Sequence, residues 1–322
     1  MNGLKTDNTV LSNGIIKDNK FYPKMNLQSG TMRIVLTTKC NYRCRYCFAE
    51  GEINKEYRIL ELDKLKKIIL IGKEFGISSI KLTGGEPLLY PHLDKLLQYM
   101  RKNGIGYIDL TTNISLLNDS NIEMLNKYNV NALTLSLNTL DCKKFEYLSK
   151  FKNYDLVQTN LNNVMNNFKG KLRINCIIFD ELFDENDYND IIDLCRKNNL
   201  GLRFVEPSKV DGFDITYKKE KFNYYISCLR KKADKVIKSD CESVEYLFFG
   251  NWYITVMHSL CDNKLCSACK KYMYIRVSSE LKLKPCLSRR DTEVQIDFTS
   301  DNTIRSSFIE AIGNMGIGLI DE

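Results

Sequence analysis

The stretch Met32-Arg33-Ile34-Val35-Leu36-Thr37-Thr38-Lys39-Cys40-Asn41-Tyr42-Arg43-Cys44-Arg45-Tyr46-Cys47 joins a short apolar run to three cysteines spaced C-x3-C-x2-C. A run of that length and composition reads as a buried strand, with the cysteines just beyond its carboxyl end. Three thiolates on one loop can hold three irons of a [4Fe–4S] cube, whereas electron-transfer clusters use four cysteines. The iron left over could bind a small molecule. A zinc knuckle is the alternative reading, although zinc usually draws on C-x2-4-C pairs and completes a tetrahedron.

Outward from this stretch, β-rich runs alternate with amphipathic ones. Strands are expected over residues 32–37, 79–82, 107–111, 132–137, 172–178 and 201–205. Helices are expected over 61–75, 93–102, 121–128, 155–168 and 187–197; in the first, Leu62, Leu65, Ile68 and Ile69 share a face, with Gly76 as a stop. Strands separated by helices demand a parallel sheet. Six such units with right-handed crossovers imply an α/β fold, a partial (β/α)6 TIM-like barrel, with an open doubly wound sheet as the competing architecture. Either places chemistry at the carboxyl ends of the strands. The unusual residues follow that rule: Gly84-Gly85-Glu86-Pro87 after the second strand, Thr112-Asn113 after the third, Ser136-Leu137-Asn138 after the fourth.

The organisation expected is a polar, irregular lead over 1–30, the barrel over 31–235 and a small C-terminal auxiliary iron–sulfur domain over 236–322. In the last part, 219–238 reads as a basic amphipathic helix running into it, 246–256 as aromatic and β-rich, and Cys261, Cys266 and Cys269 precede a distant Cys286. On spacing alone a small zinc ribbon and a second iron–sulfur cluster are both open. His258 lies close to this group in sequence, as a spare ligand or a packed residue.

With 322 residues, 43% of them hydrophobic, the chain is long enough for a large core. The formal net charge of +7 suits an anionic substrate as well as a solvated surface, and no block of like charges points to nucleic acid. No stretch reaches the length of a membrane helix and the first thirty residues lack a signal peptide's apolar core, so a cytoplasmic protein with no membrane partner is expected. Twelve cysteines in a reducing compartment call for metal rather than disulfides. Cys142, Cys176, Cys195, Cys228 and Cys241 are scattered through apolar or helical sequence and read as small buried hydrophobes.

The cysteine spacing, the aromatic Tyr46 before the third cysteine, and the Gly-Gly-Glu-Pro segment resemble the radical S-adenosylmethionine (SAM) superfamily. The resemblance implies that Cys40, Cys44 and Cys47 hold a [4Fe–4S] cluster whose open iron binds SAM. It further implies that Tyr46, Gly84, Gly85, Glu86, Asn113, Ser136 and Asn138 line the SAM site, and that a 5′-deoxyadenosyl radical abstracts hydrogen from substrate. A reducing flavodoxin or ferredoxin is the implied electron donor, and the enzyme would act as a monomer or homodimer.

Within that superfamily the chain resembles the GTP 3′,8-cyclases, lyases of molybdenum-cofactor biosynthesis, through Met32–Val35, residues 81–89, 110–113, 135–141, 172–175 and 202–206, and the second cysteine group. This implies GTP contacts at Arg33, Lys81, Thr112, Arg173 and Arg276. It also implies a second [4Fe–4S] cluster on Cys266, Cys269 and Cys286; Cys261, which the cyclases lack, is either a fourth ligand of that cluster or a buried thiol. Tyr274 stands where the cyclases carry a second arginine, and Cys261 is extra. A peptide- or small-molecule-modifying radical SAM enzyme with a related auxiliary cluster is the alternative.

Overall fold

The computed structural model describes residues 9–11, 14–17, 20–23, 30–47, 56–178, 183–207, 219–238, 244–258, 274–286 and 289–315. Near the N-terminus, β1 (Thr9–Leu11), β2 (Gly14–Lys17) and β3 (Lys20–Pro23) form a separate antiparallel sheet, with Leu11 opposite Gly14. The lead expected to be irregular therefore holds paired strands. Its β-branched and aromatic pairs, Thr9-Val10, Ile15-Ile16 and Phe21-Tyr22, account for them.

Six parallel strands then follow one another across the main sheet: β4 (Gly30–Val35), β5 (Ile77–Thr83), β6 (Tyr107–Thr112), β7 (Ala132–Ser136), β8 (Lys171–Ile177) and β9 (Gly201–Val205). Between them lie α1 (Leu62–Glu74), α2 (Leu93–Lys102), α3 (Asp119–Lys127), α4 (Cys142–Ser149), α5 (Tyr154–Asn167) and α6 (Glu185–Lys197). Only α4 escaped the periodicity, because eight residues give two turns and little pattern. Its cap is nonetheless ordinary: the Asp141 carboxylate accepts from the Lys144 backbone N–H at 2.8 Å.

The sheet continues on both flanks and does not close. After α7 (Lys219–Lys232) come β10 (Lys235–Lys238), β11 (Val244–Phe249) and β12 (Trp252–Met257), an antiparallel set whose last member lies parallel to β9. The single helix expected over 219–238 thus stops at Lys232, and β-branched Val236-Ile237 pair with Leu247 and Tyr246 instead. On the opposite flank β13 (Tyr274–Val277) lies parallel to β4, followed by β14 (Lys282–Lys284) and β15 (Val294–Gln295). The last helix, α8 (Asp301–Gly313), packs on α1: Phe308 stacks on Phe75 at 5.5 Å between centroids, and Arg305 grips Glu74 through two nitrogens at 2.6 and 2.8 Å.

Parallel strands covered on both faces by apolar layers read as unbroken hydrophobic runs. Here they alternate. Met32, Ile34, Ile80, Leu82, Ile108, Leu110, Ile174, Cys176, Leu202 and Phe204 are at most 1% exposed and belong to the core shared with the helices. The period of two sends their neighbours Arg33, Lys81, Asp109, Arg173 and Arg203 to the other face. The helix-bearing side of the sheet is a conventional core, and the opposite side is a polar chamber.

Candidate active site

The cysteine loop leaves the carboxyl end of β4 and is held from two directions. Backbone N–H groups of Arg43 and Arg45 donate to the carbonyls of Ser149 and Leu148 at 3.0 and 2.9 Å, so the last turn of α4 carries the loop. Buried Tyr42 stacks on Phe151 with centroids 4.6 Å apart and donates its hydroxyl to the Asn113 carbonyl at 3.1 Å. Arg43 turns back to the carbonyls of Cys40 and Tyr42 at 2.6 and 2.8 Å. Tyr46 packs with Leu148 and Ile177.

Cys40 and Cys44 are half-buried and Cys47 is exposed. Burial, together with the neighbouring cysteines, holds the Cys40 thiol above its usual range and pushes Cys44 up to about 12. A group so reluctant to ionise alone becomes a good ligand when a metal cation replaces its proton. The surroundings fit a cluster-bound thiolate: the Tyr42 backbone N–H points at the Cys40 sulfur at 3.3 Å and the Asn113 amide at 3.8 Å. Among the described residues no three His, Cys, Asp or Glu side chains gather as they would around one metal ion. A four-iron cube, by contrast, spreads its cysteines over separate irons.

The segment after β5 is pressed against this loop. Gly85 N–H donates to the Thr37 carbonyl and Glu86 N–H to the Lys39 carbonyl, both at 2.7 Å. A Cβ on Gly84 or Gly85 would run into those same carbonyls, so the contact of backbone on backbone requires glycine at both places. Glu86 then turns inward, fully buried. One carboxylate oxygen accepts from Thr112 Oγ1 at 2.8 Å and Leu88 N at 3.1 Å, the other from Asn113 N at 2.8 Å. Burial outweighs these donors and pushes the Glu86 carboxyl up to about 7. The structure thus engages Glu86 and Thr112 with each other, tying the ends of β5 and β6 together.

Asn113 follows, and its side chain donates to Asn41 at 2.9 Å while accepting from Ser115 at 2.6 Å. Ile114, wholly buried, has a left-handed backbone at φ 76°. For a β-branched residue that costs of order 1–3 kcal/mol and persists only where its surroundings enforce it. Here buried Asn160 clamps the carbonyls of Ile114 and Ser115 at 3.2 and 2.9 Å, presenting Asn113 to the cysteine loop. Half-buried Ser136 ends β7, and Asn138 accepts from the Ile177 backbone N–H at 2.8 Å, linking the ends of β7 and β8.

Deeper in the chamber Arg33, Lys81, Arg173 and Arg276, which the sequence brought forward, are joined by Arg203. Strand register explains the gathering: Arg33 sits beside Lys81 on one side and Arg276 on the other, and Lys81 beside Asp109. Asp109 accepts from Arg173 at 2.9 Å and from Thr134 at 3.2 Å. Lys81 and Arg276 both lie over the ring of Tyr274, 5.6 and 4.7 Å from its centroid. Burial and the surrounding arginines hold Lys81 below its usual range and push Arg203 down to about 10. The Nε atoms of Arg173, Arg203 and Arg276 are buried without a hydrogen-bond partner. Buried donors are normally satisfied, and guanidinium groups so placed suit a ligand that brings acceptors. Sequence reasoning missed Arg203 and Asp109 as site residues. The alternation in Gly201-Leu202-Arg203-Phe204-Val205 was the available signal.

Of the second cysteine group, Cys286 is a half-buried free thiol, while Cys261, Cys266 and Cys269 lie outside the described residues. His258 lies between two buried carboxylates, 3.0 Å from Glu245 and 3.5 Å from Glu206.

A family model described as the radical SAM superfamily matches residues 34–195, half of the chain, from β4 through most of α6. The chain belongs to the radical SAM superfamily. Membership implies a [4Fe–4S] cluster and SAM, and makes the protein an enzyme. This radical SAM enzyme is 29% identical over 293 residues to a probable GTP 3′,8-cyclase of Methanococcus vannielii, covering 88% of this chain and 94% of the relative. It is 28% identical over 297 residues to a GTP 3′,8-cyclase of Clostridium botulinum strain Langeland, covering 88% and 89%. Among solved structures it is similar to Streptococcus suis SuiB bound to S-adenosylmethionine, with a TM-score of 0.67 and 20% identity over 90% of this chain and 68% of that one. That likeness supports the unclosed parallel barrel. No helix among the described residues is long and apolar enough to cross a membrane.

Proposed function

We propose that this radical SAM enzyme acts on an anionic nucleotide, GTP or a close relative, in the manner of a GTP 3′,8-cyclase. The observation that carries the reading is the chamber: among the described residues Arg33, Lys81, Arg173, Arg203 and Arg276 gather on one face with Asp109, and three of the arginines hold buried unsatisfied donors. A polyphosphate offers acceptors in every direction and suits planar guanidinium forks. The sequence likeness to curated GTP 3′,8-cyclases supports the same substrate.

With the cluster on Cys40, Cys44 and Cys47, SAM supplies a carbon radical able to take hydrogen from an unactivated C–H bond. The chain's own part is positioning. The cations would hold the phosphate end of the substrate, and the loops that carry Cys40, Gly85 and Asn113 would hold SAM. Holding the reacting carbon in a near-attack arrangement and excluding water are the protein's main levers. We place a second [4Fe–4S] cluster on Cys266, Cys269 and Cys286 in an auxiliary segment spanning 236–322, with Cys261 either a fourth ligand or a buried thiol.

The test is anaerobic turnover of the reconstituted, reduced enzyme with SAM, with and without GTP, followed by mass spectrometry. GTP-dependent 5′-deoxyadenosine and a product isomeric with GTP are expected. Slow deoxyadenosine formation with GTP unchanged would overturn the nucleotide reading and direct the search to peptides.

A further inference from the structure

The chamber contains an acid that the substrate reading leaves without a task. Tyr274, on β13, faces Arg33 from β4, Lys81 from β5 and Arg276 from its own strand, with Arg203 of β9 close enough to feel its charge. Arg173 of β8 and Asp109 of β6 complete the charged lining and are paired with each other at 2.9 Å. On β14, Lys284 lies opposite Arg276 but is paired with Glu293 at 3.0 Å. Among the described residues, Tyr274 thus has four basic side chains around it and no carboxylate paired with it.

Cations crowded around one phenol favour its ionised form, as they do for any acid. The shift of Tyr274 runs that way: burial raises it, but Arg33, Arg276 and Lys81 together bring it below its ordinary value. The other tyrosines for which a shift is resolved, Tyr42, Tyr46, Tyr90, Tyr107, Tyr154, Tyr188 and Tyr225, all move the opposite way. Tyr274 is the exception because of where β13 puts it.

We propose that Tyr274 is an internal counter-anion of the chamber: at the alkaline pH where it ionises, its phenolate balances the cation cluster in the absence of an anionic ligand, and a bound anion returns a proton to it. The inference rests on the reading of the chamber as an anion site. Binding is then linked to proton uptake from solvent, with no redox change and no covalent step. Below the Tyr274 pKa no phenolate competes with the ligand for these cations. Above it, the phenolate competes, so anion affinity falls as pH rises. Lys81 adds to the fall, since it loses its own charge at high pH more readily than an ordinary lysine. The Tyr274 share alone disappears in Tyr274→Phe.

The experiment is an alkaline titration of the tyrosinate absorbance of the reconstituted enzyme and of Tyr274→Phe, with and without sulfate, whose own charge is constant over this range. The wild-type enzyme is expected to show one tyrosinate at lower pH than the rest, missing in Tyr274→Phe and moved to higher pH by sulfate. Lys81→Met keeps the phenol and should also move that step to higher pH, which protects the test against a Phe variant that fails to fold. Identical titrations of wild type and Tyr274→Phe, or a step that neither sulfate nor Lys81→Met moves, would overturn the proposal. If the step and its sulfate shift appear while GTP is neither bound nor converted, the counter-anion stands and the nucleotide reading fails. If GTP is converted and the step is absent, the reverse holds.

Discussion

Arg173 on β8 reaches across β7 to Asp109 on β6, Nη2 to Oδ2 at 2.9 Å, and on the way donates to Thr134 of the strand between them at 2.8 Å. The pair is what makes one member of the cation cluster rigid. Asp109 is 3% exposed and Arg173 half-buried, so removing the arginine takes from a buried carboxylate its direct ion pair and leaves it the side-chain hydrogen bond from Thr134.

Arg173→Ala and Arg203→Ala should each weaken GTP binding by about 10- to 100-fold, the loss of a charge-assisted contact worth roughly 1.5–3 kcal/mol. Only Arg173→Ala should also lower the melting temperature appreciably, because only it strands Asp109. Calorimetric affinities paired with thermal melts separate the two; equal GTP affinity in all three proteins would remove the phosphate role.

Gly85→Ala tests the contact between the two loops. The added methyl meets the Lys39 carbonyl, so the hydrogen bonds from Gly85 to Thr37 and from Glu86 to Lys39 cannot both survive. The variant should take up less iron on reconstitution than wild type while its far-ultraviolet circular dichroism stays unchanged. Full iron uptake with unaltered SAM cleavage would show that the cysteine loop does not depend on this support.

The pH dependence of stability should carry the mark of Glu86. Its folded pKa, about 7, lies above the ordinary carboxyl value of 4.5, so the folded protein binds a proton that the unfolded chain has released. Stability contributed by this group is therefore present below the ordinary value and lost as pH rises through about 7. Glu86→Gln should flatten that slope. An unchanged slope in urea melts across the range would mean that Glu86 stays ionised throughout.

These predictions draw unequally on sequence and structure. The six central strands and five of the helices follow from periodicity, because β4 to β9 bury one apolar face against helices whose own apolar residues recur at helical spacing. Cys40, Gly85 and Asn113 could be placed because βαβ topology sends strand ends to one side. What periodicity could not convey was the neighbour across the sheet. β13 lies beside β4 although more than two hundred residues separate them in the chain, and only that register brings Tyr274 and Arg276 to Arg33. Likewise the sequence brings Glu86 forward only through the Gly-Gly-Glu-Pro segment, and its burial against Thr112 and Asn113 comes from the neighbouring strand end. The helix expected over 219–238 failed for a related reason, since its last residues pair with β11, a partner that local propensity does not register.

The most direct test of the central claim follows the hydrogen itself. The reduced enzyme, with SAM and GTP deuterated at C3′, is quenched within a few turnovers and its 5′-deoxyadenosine analysed by mass spectrometry. Deuterium in the deoxyadenosine, together with a product isomeric with GTP, is the predicted result. Deoxyadenosine free of deuterium, with the labelled GTP recovered intact, would contradict a nucleotide substrate for this radical SAM enzyme.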